Sequence, residues 1–223
     1  MKLPAFINRI FNGSDSISKR ELIKYLPANP IIVEAGICDG SDTEEFAINF
    51  PLATIHGFEC LPYQFSIARE RLSKYPNVTI YPYGLNEISG TFDFFVSKIN
   101  QQYSASSSLL KPELHEQVHP HVQFDEIIKV QCLTLDEWAD KHDITRVDFL
   151  WLDLQGAELK ALKGANQMLK QAKLIYTEVS LIETYKDVPL YNEVKDYLNL
   201  YGFVVEKKYL NYSDMGNVLF IRK

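Results

Sequence analysis

The most constraining feature of this chain is a short apolar strand followed at once by a glycine turn and a helix. Residues 31–40 read IIVEAGICDG, and SDTEEFAINF opens the helix behind them. Gly36 permits a backbone conformation closed to residues with a Cβ, and Gly40 lets the chain pass close beneath a ligand. This order is typical of α/β folds that bind nucleotide-like cofactors. The segment therefore predicts a cofactor site on the turn.

The turn differs from the fingerprint that binds dinucleotides. A pyrophosphate needs an uncharged helix N-terminus and glycines spaced G-x-G-x-x-G, whereas Cys38 stands at the second glycine position and Asp39 and Asp42 add carboxylates. These carboxylates would repel a phosphate, and Glu34 adds a third acidic acceptor. They suit a ligand with a positive charge and an ammonium group, and S-adenosylmethionine is such a ligand. The alternative is an ordinary strand-turn-helix without a ligand.

A further acidic residue is expected beside this turn. Residues 54–59, TIHGFE, predict a strand that ends at Glu59, and a helix is predicted over residues 62–75. Glu59 follows the turn by roughly twenty residues, where a βαβ unit brings the tip of its second strand next to the first. Its carboxylate could accept hydrogen bonds from both ribose hydroxyls of a cofactor. We include Cys60 with it as a cofactor-binding candidate. The alternative is a surface carboxylate that caps the helix.

The third informative segment is VDFLWLDLQGAELKALKGA, residues 147–165. An almost continuous apolar strand ends at Asp153, and a helix is predicted from Gly156 with Glu158 in its first turn. Ligands in open α/β sheets lie beyond the carboxyl ends of the strands. Asp153, Gln155 and Glu158 are therefore expected to face the same crevice as the glycine turn. The alternatives are a helix-dipole role for Glu158 and a capping role for Asp153.

Composition and charge exclude several classes of protein. The net charge of -6, without a basic stripe, argues against a nucleic-acid-binding surface. Three cysteines, far apart and without a C-x-x-C pair, disfavour a disulfide framework or a zinc site and indicate a reducing cytoplasm. The N-terminal MKLPAFINRIF is too short and interrupted for a signal peptide or stable membrane insertion, and a helix packed on the domain is expected there.

Length and pattern predict one α/β domain over residues 29–223, preceded by a helical extension over residues 1–28. Apolar runs alternate with helical patterns, as in a mostly parallel sheet. Strands are predicted over residues 31–36, 54–59, 78–83, 147–153, 173–179, 203–209 and 217–222. Helices are predicted over residues 18–26, 41–49, 62–75, 134–142, 156–170 and 189–201.

An insertion interrupts this alternation. Two further strands are predicted over residues 90–96 and 127–133, which would form a β-hairpin. The stretch between them, residues 97–126, is too polar for a core and too long for an ordinary connection. A functional lid or a mobile loop is therefore expected.

These motifs resemble a known family. VEAGICDGSDT, GFECLP, SASSSL, QCLTLDEW and above all LDLQGAELKALKGA followed by LIYTEVS are similar to the FkbM family of S-adenosylmethionine-dependent methyltransferases, over roughly residues 30–182. The resemblance implies a Rossmann-like class I methyltransferase fold with a mostly parallel central sheet and an antiparallel C-terminal strand. It also implies O-methylation of a hydroxyl on a sugar, glycan, glycolipid or related natural product.

The resemblance also implies roles for individual residues. Glu34, Gly36 and Gly40 would hold the amino-acid end of the cofactor, and Glu59 its ribose. Asp153 and Glu158 would lie on the acceptor side.

The chain departs from the family's pattern at two places. Cys38 and Asp39 stand in a turn that commonly bears glycine and asparagine, and Leu154-Gln155 stands where members commonly have Val-Glu. We keep Asp39 among the cofactor-binding candidates.

Methyl transfer to a hydroxyl requires alignment of the acceptor oxygen and removal of its proton. Asp153 is the leading candidate base, with Glu158 as the second catalytic candidate. His115, His119 and His121 are the alternative, and their H-x₃-H-x-H spacing could also suggest a metal. Because their segment is polar, these histidines are expected instead to be simply solvated. Asp153 and Glu158 could instead hold a divalent cation. We assign no metal ligand from the sequence.

Two rival functions are weighed against methyl transfer. A nicotinamide-dependent oxidoreductase on the same fold is disfavoured by the missing third glycine and the acidic turn. A non-catalytic cofactor-binding module would have no reason to keep Asp153 and Glu158 at the edge of the sheet. The expected partners are a small-molecule or glycan acceptor and no nucleic acid, and a homo-oligomer is compatible with the sequence.

Overall fold

The computed structural model describes residues 16–223. The helix expected near the start of the chain lies in residues 1–15, outside the described residues. The segment predicted as a helix over residues 18–26 forms a shorter 3₁₀-helix, Lys19–Lys24, in which the Ser18 side chain accepts a hydrogen bond from the backbone N–H of Glu21.

The elements follow one another as the sequence predicts, with a few additions. The strands are β1 (Ile31–Ala35), β2 (Thr54–Phe58), β3 (Val78–Tyr81), β4 (Gly84–Leu85), β5 (Gly90–Ile99), β6 (Gln102–Tyr103), β7 (Gln123–Leu133), β8 (Phe149–Leu152), β9 (Leu174–Ser180), β10 (Phe203–Tyr209) and β11 (Met215–Arg222). The α-helices are α1 (Ser41–Asn49), α2 (Pro62–Leu72), α3 (His115–Val118), α4 (Leu135–Lys141), α5 (Glu158–Lys163), α6 (Asn166–Leu169) and α7 (Tyr191–Asn199). The short elements β4, β6 and α3 are additions that the pattern did not predict.

A seven-stranded sheet in the order β10-β11-β9-β8-β1-β2-β3 forms the centre of the molecule. Strand β1 pairs in parallel with β2 and β8, whereas β11 runs antiparallel to both β9 and β10. The predicted mostly parallel sheet with an antiparallel C-terminal strand is therefore confirmed.

The sheet is covered on both faces, as the continuous apolar strands predict. Successive side chains of a strand point to opposite faces. Val33 and Leu150 accordingly pack in one apolar cluster with Trp138, while Ile32 and Phe149 pack in the other. An apolar cluster therefore covers each face of the sheet.

The helix predicted over residues 156–170 is divided into α5 and α6 at Gly164. A Cβ on Gly164 would lie 2.2 Å from the carbonyl oxygen of Asn86, so the chain needs glycine at this close approach. The Asp136 carboxylate accepts hydrogen bonds from the backbone N–H groups of Gln167 (2.8 Å) and Met168 (3.0 Å). This cap from another helix stabilises a new helix start that local pattern does not reveal.

The insertion forms a sheet of its own. Its order is β4-β7-β5-β6, and the predicted hairpin is its antiparallel pair β5 and β7. The stretch at residues 97–126 was expected to be too polar for a core. Some of its polar side chains are nevertheless buried, among them Ser97, Ser108 and His115. The buried hydroxyl groups form hydrogen bonds with one another, which offsets the cost of burying them: Ser97 Oγ lies 2.6 Å from Ser104 Oγ.

No helix between residues 16 and 223 has the length and apolar character needed to cross a bilayer.

Candidate active site

A cavity of about 80 Å³ lies at the carboxyl edge of β1, β2 and β8. Its wall combines the glycine turn, the end of β2, the segment after β8 and the inserted stretch around Ser104 and Ser107. Among the predicted site residues, the wall contains Gly36, Glu59, Cys60 and Asp153. The predicted convergence of these segments at one crevice is what the fold produces.

Gly36 is fixed in place by its neighbours. Its φ is +83°, and a Cβ there would lie 1.9 Å from the carbonyl oxygen of Asp153. Phe58 O accepts hydrogen bonds from the backbone N–H groups of Gly36 (3.0 Å) and Ile37 (3.1 Å). The turn is therefore held between β2 and the end of β8, and only glycine fits at its first position.

Gly40 has a different role from the one expected. Its φ is +79°, and a Cβ there would lie 3.0 Å from a methyl group of Leu72 and 3.2 Å from that of Ala68. Gly40 is absent from the cavity wall. Its small size allows α2 to pack closely against the turn, so a direct ligand contact stays a prediction.

Glu59 joins the turn to the β2–α2 connection. Its Oε2 accepts a hydrogen bond from the backbone N–H of Cys38 (2.9 Å), and its Oε1 accepts one from the backbone N–H of Leu61 (2.8 Å). Burial raises the pKa of Glu59 to about 7, opposed by these backbone donors. The carboxyl group is thus on the wall, oriented, and able to change charge near neutral pH.

Glu34 lies beneath the turn and outside the cavity wall. It is buried within β1, and its Oε2 accepts a hydrogen bond from Thr43 Oγ1 at 2.7 Å. Burial, together with the nearby Asp42 carboxylate, raises the pKa of Glu34 well above its usual range. This hydrogen bond ties β1 to the first turn of α1. Contact of Glu34 with a cofactor stays a prediction.

The acidic groups on the turn have cationic partners elsewhere in the chain. Asp39 Oδ2 lies 2.7 Å from Arg71 Nη2, and Arg71 Nε also donates to the Asp39 carbonyl oxygen. Asp42 Oδ1 lies 3.0 Å from the buried Lys19 Nζ. Asp39 faces α2 and is not part of the cavity wall. The prediction of a cationic ligand rested on the negative charge of Asp39 and Asp42. The pairings with Arg71 and Lys19 offset that charge.

The thiol groups on the wall are protonated at neutral pH. Burial raises the pKa of Cys38 to about 12, and it raises the pKa of Cys60 well above its ordinary value. A thiol in this state is a weak nucleophile. Cys38 and Cys60 therefore supply shape and apolar surface to the cavity.

Three carboxyl groups meet next to the cavity, and one of them was not predicted. Asp153 follows β8, Glu158 begins α5, and Glu178 belongs to β9; one oxygen of each lies within 4.8 Å of the others. The parallel register pairs Leu152 with Thr177, which puts Glu178 beside Asp153. An acidic residue near the end of the apolar strand LIYTEVS is the signal that could have revealed Glu178.

Glu158 is buried behind the cavity wall. Its Oε1 accepts a hydrogen bond from the backbone N–H of Leu154 at 2.7 Å. Burial, with the Glu178 carboxylate next in effect, raises the pKa of Glu158 to about 8. At neutral pH Glu158 is therefore mostly uncharged, and it holds the peptide that follows Asp153.

Gln155 connects the other two carboxylates. Its Nε2 lies 2.7 Å from Asp153 Oδ1 and 2.8 Å from Glu178 Oε2. The spacing of the three carboxyl groups would also suit a divalent cation, the alternative stated from sequence. The two N–H groups of Gln155 already satisfy the facing oxygens of Asp153 and Glu178.

The three histidines lie away from the cavity wall. His115 is buried against Tyr185 and Phe124, and burial lowers its pKa to about 4. His119 Nε2 lies 2.7 Å from Asp214 Oδ2. The expectation that these side chains are simply solvated is wrong for His115. This arrangement fastens the insertion to the C-terminal part of the chain.

Comparisons with known proteins show the family and the fold of this chain. Residues 34–205 match the model of the methyltransferase FkbM domain. The 2-O-methyltransferase NoeI of Sinorhizobium fredii (strain NBRC 101917 / NGR234) is 29% identical over 171 residues, which cover 75% of this chain and 70% of that protein.

Solved structures share the fold at low sequence identity. The fibrillarin pre-rRNA processing protein of Methanococcus jannaschii has a TM-score of 0.55 and 14% identity over 95% of this chain and 76% of its own. Aeropyrum pernix fibrillarin, solved with natively bound S-adenosyl-L-methionine, has a TM-score of 0.50 and 12% identity over 92% of this chain and 76% of its own.

The sheet order, the glycine turn and these likenesses define an S-adenosylmethionine-dependent methyltransferase with a Rossmann-like class I fold. The family model covers more than half of the chain. The chain belongs to the FkbM methyltransferase family.

Proposed function

We propose that the protein transfers the methyl group of S-adenosylmethionine to a hydroxyl oxygen of a sugar, glycan, glycolipid or related natural product. The observation that carries the proposal is that Asp153, a carboxylate able to accept a proton, shares one cavity wall with Gly36 and Glu59. The family and the 2-O-methyltransferase relative support it. Hydride transfer to a nicotinamide has no such support.

The wall residues divide between cofactor and acceptor in this proposal. Gly36 and the Cys38 backbone approach the amino-acid end of the cofactor, Glu59 accepts hydrogen bonds from its ribose hydroxyls, and Cys60 lines the path beyond. Glu34, Asp39 and Gly40 act by fixing the shape of the turn, because their contacts are with Thr43, Arg71 and α2.

The protein's part in the reaction is alignment and proton removal. When bound, S-adenosylmethionine supplies an electrophilic methyl carbon on a sulfonium leaving group. Asp153 accepts the proton of the acceptor hydroxyl as the new O–C bond forms and the S–C bond breaks. Such a base contributes about 10² to 10⁴ in rate. Glu158 keeps Asp153 in position through the Leu154 peptide.

Cofactor discrimination is the direct test of this proposal. S-adenosylhomocysteine is expected to bind and raise the melting temperature, whereas nicotinamide dinucleotides are not. At one hundred times Kd the ligand adds about 2.7 kcal/mol to the free energy of unfolding, a shift of a few degrees for a chain of this size. Differential scanning fluorimetry and calorimetry measure both. Equal stabilisation by NAD, or none by millimolar S-adenosylhomocysteine, would contradict the proposal.

A further inference from the structure

Gln155 has an unusual backbone that the insertion holds in place. Its φ is +51°, in the left-handed region that residues with a Cβ seldom adopt. Its carbonyl oxygen accepts a hydrogen bond from Ser108 Oγ at 2.8 Å. Ser108 is itself bonded to Phe95 of β5 through both backbone groups. A strained residue persists where its surroundings fix it, and such residues concentrate at functional sites.

The side chain of Gln155 is fixed as well. A primary amide has two N–H donors, and in Gln155 each can serve one carboxylate, Asp153 Oδ1 at 2.7 Å and Glu178 Oε2 at 2.8 Å. The residue is 5% exposed, so water does not compete strongly for these hydrogen bonds. Donors placed between two carboxylates also reduce their mutual repulsion.

We infer that Gln155 is a positioning residue, which orients the Asp153 carboxylate toward the acceptor and connects it through Ser108 to the inserted sheet. The inference rests on the proposed function, because it gives Asp153 the role of base. With Oδ1 held by the amide, the other oxygen of Asp153 keeps a constant direction. A base that must accept a proton from one hydroxyl depends on such an orientation.

The glutamine-to-glutamate variant tests the donors while nearly preserving shape. Gln155→Glu removes at least one of the two N–H donors and adds a third acidic group to the cluster, so the pKa of Asp153 should rise relative to wild type. The acid limb of the rate profile should move to higher pH by the same amount. Family members commonly carry glutamate at this position, but in this chain the residue donates to two facing carboxylates. We therefore expect kcat to fall about ten- to a hundredfold while KM changes less than about threefold.

A swapped variant separates orientation from charge balance. Gln155→Glu combined with Glu178→Gln keeps the wild-type net charge. The new amide at position 178 can still donate to the carboxylate at position 155, but Asp153 loses the amide donor of Gln155. The pKa of Asp153 should therefore stay raised in the swapped protein. Gln131→Glu is the matched control, since Gln131 is exposed, donates to Thr91 and is not part of the cavity wall.

The titration of Asp153 can be measured without a methyl acceptor. Carboxyl ¹³C NMR of labelled protein, with Asp153→Asn to assign the signal, reports the ionisation of Asp153. Within residues 16–223, electrostatic interactions link Asp153 to other titratable groups, which include Glu34, Cys38, Glu158, Glu178, Tyr176 and Tyr185. Binding of S-adenosylhomocysteine shows that each variant is folded. Transfer of labelled methyl from S-adenosylmethionine to a pool of methyl glycosides gives the rate.

The outcomes are separable. The inference would be overturned if the pKa of Asp153 in Gln155→Glu equalled that of the wild type, or if it returned fully to the wild-type value in the swapped variant. Either result would leave the proposed function standing. Should Gln155→Glu not fold, the swapped variant alone decides, because it restores the charge count. A wild-type protein that binds no S-adenosylhomocysteine would refute the proposed function, whereas the NMR titration would still report whether Gln155 acts on Asp153.

Discussion

Replacing Asp153 by asparagine is expected to lower kcat by about a hundredfold or more while Kd for S-adenosylhomocysteine changes less than about threefold. Asparagine keeps the shape of the side chain, and its carbonyl oxygen can still accept the hydrogen bond that Gln155 now donates to Asp153 Oδ1. The variant should therefore fold normally. What it loses is the charged oxygen that accepts the proton.

Steady-state kinetics on an accepted glycoside measure this effect. Asp196→Asn is the matched control, because Asp196 is exposed on α7 and pairs only at the surface with Lys195. Glu158→Gln should be measured in parallel, with a smaller loss than Asp153→Asn if Glu158 only positions the Leu154 peptide. Near-normal turnover of Asp153→Asn would mean that the proton leaves by another route, and it would refute the assignment of Asp153 as the base.

Replacing Glu59 by glutamine is expected to weaken binding of S-adenosylhomocysteine by about 1.5 to 3 kcal/mol, the loss of a charge-assisted hydrogen bond from a ribose hydroxyl. The effect should depend on pH. Ribose hydroxyl donors favour the charged carboxylate, whose pKa in the free protein is about 7. Affinity of the wild type should therefore rise as pH increases from about 6 to 8, and this rise should disappear in Glu59→Gln.

Isothermal calorimetry across this pH range tests the prediction. Glutamine keeps an acceptor oxygen for one of the two backbone N–H groups, those of Cys38 and Leu61, that Glu59 now satisfies. Glu59→Ala would leave both of these N–H groups without an acceptor, so part of the effect of that substitution would be a loss of stability. Glu45→Gln, on the solvent side of α1, is the control. A pH-independent wild-type affinity, or an unchanged Kd in folded Glu59→Gln, would return Glu59 to a purely structural role.

Much of the fold followed from the sequence because parallel strands carry a strong pattern. Buried apolar runs such as residues 149–152 alternate with helices, and the carboxyl ends of parallel strands share one edge. The sequence therefore predicts that Gly36, Glu59 and Asp153 lie together. The single helix predicted over residues 156–170 is in fact two helices. They are separated at Gly164, where the chain passes close to Asn86, a residue distant in sequence.

The parts of the site that escaped prediction depend on long-range pairing. Asp39 and Arg71 are 32 residues apart, and nothing local indicates that Arg71 offsets the charge of the turn. In a strand buried on both faces, alternation does not distinguish the residue that faces a crevice, so Glu178 was missed. His115 was expected to be solvated because its segment is polar, but its backbone N–H donates to Thr184 and its ring is enclosed.

Methyl transfer to a hydroxyl is tested by giving the protein S-adenosylmethionine with a ¹³C-labelled methyl group and a panel of glycosides, oligosaccharides and glycolipids, and by NMR of the product. We expect one labelled methyl group on a hydroxyl oxygen, formed together with S-adenosylhomocysteine and lost in Asp153→Asn. A label on nitrogen or carbon, or a product formed equally well by Asp153→Asn, would contradict it.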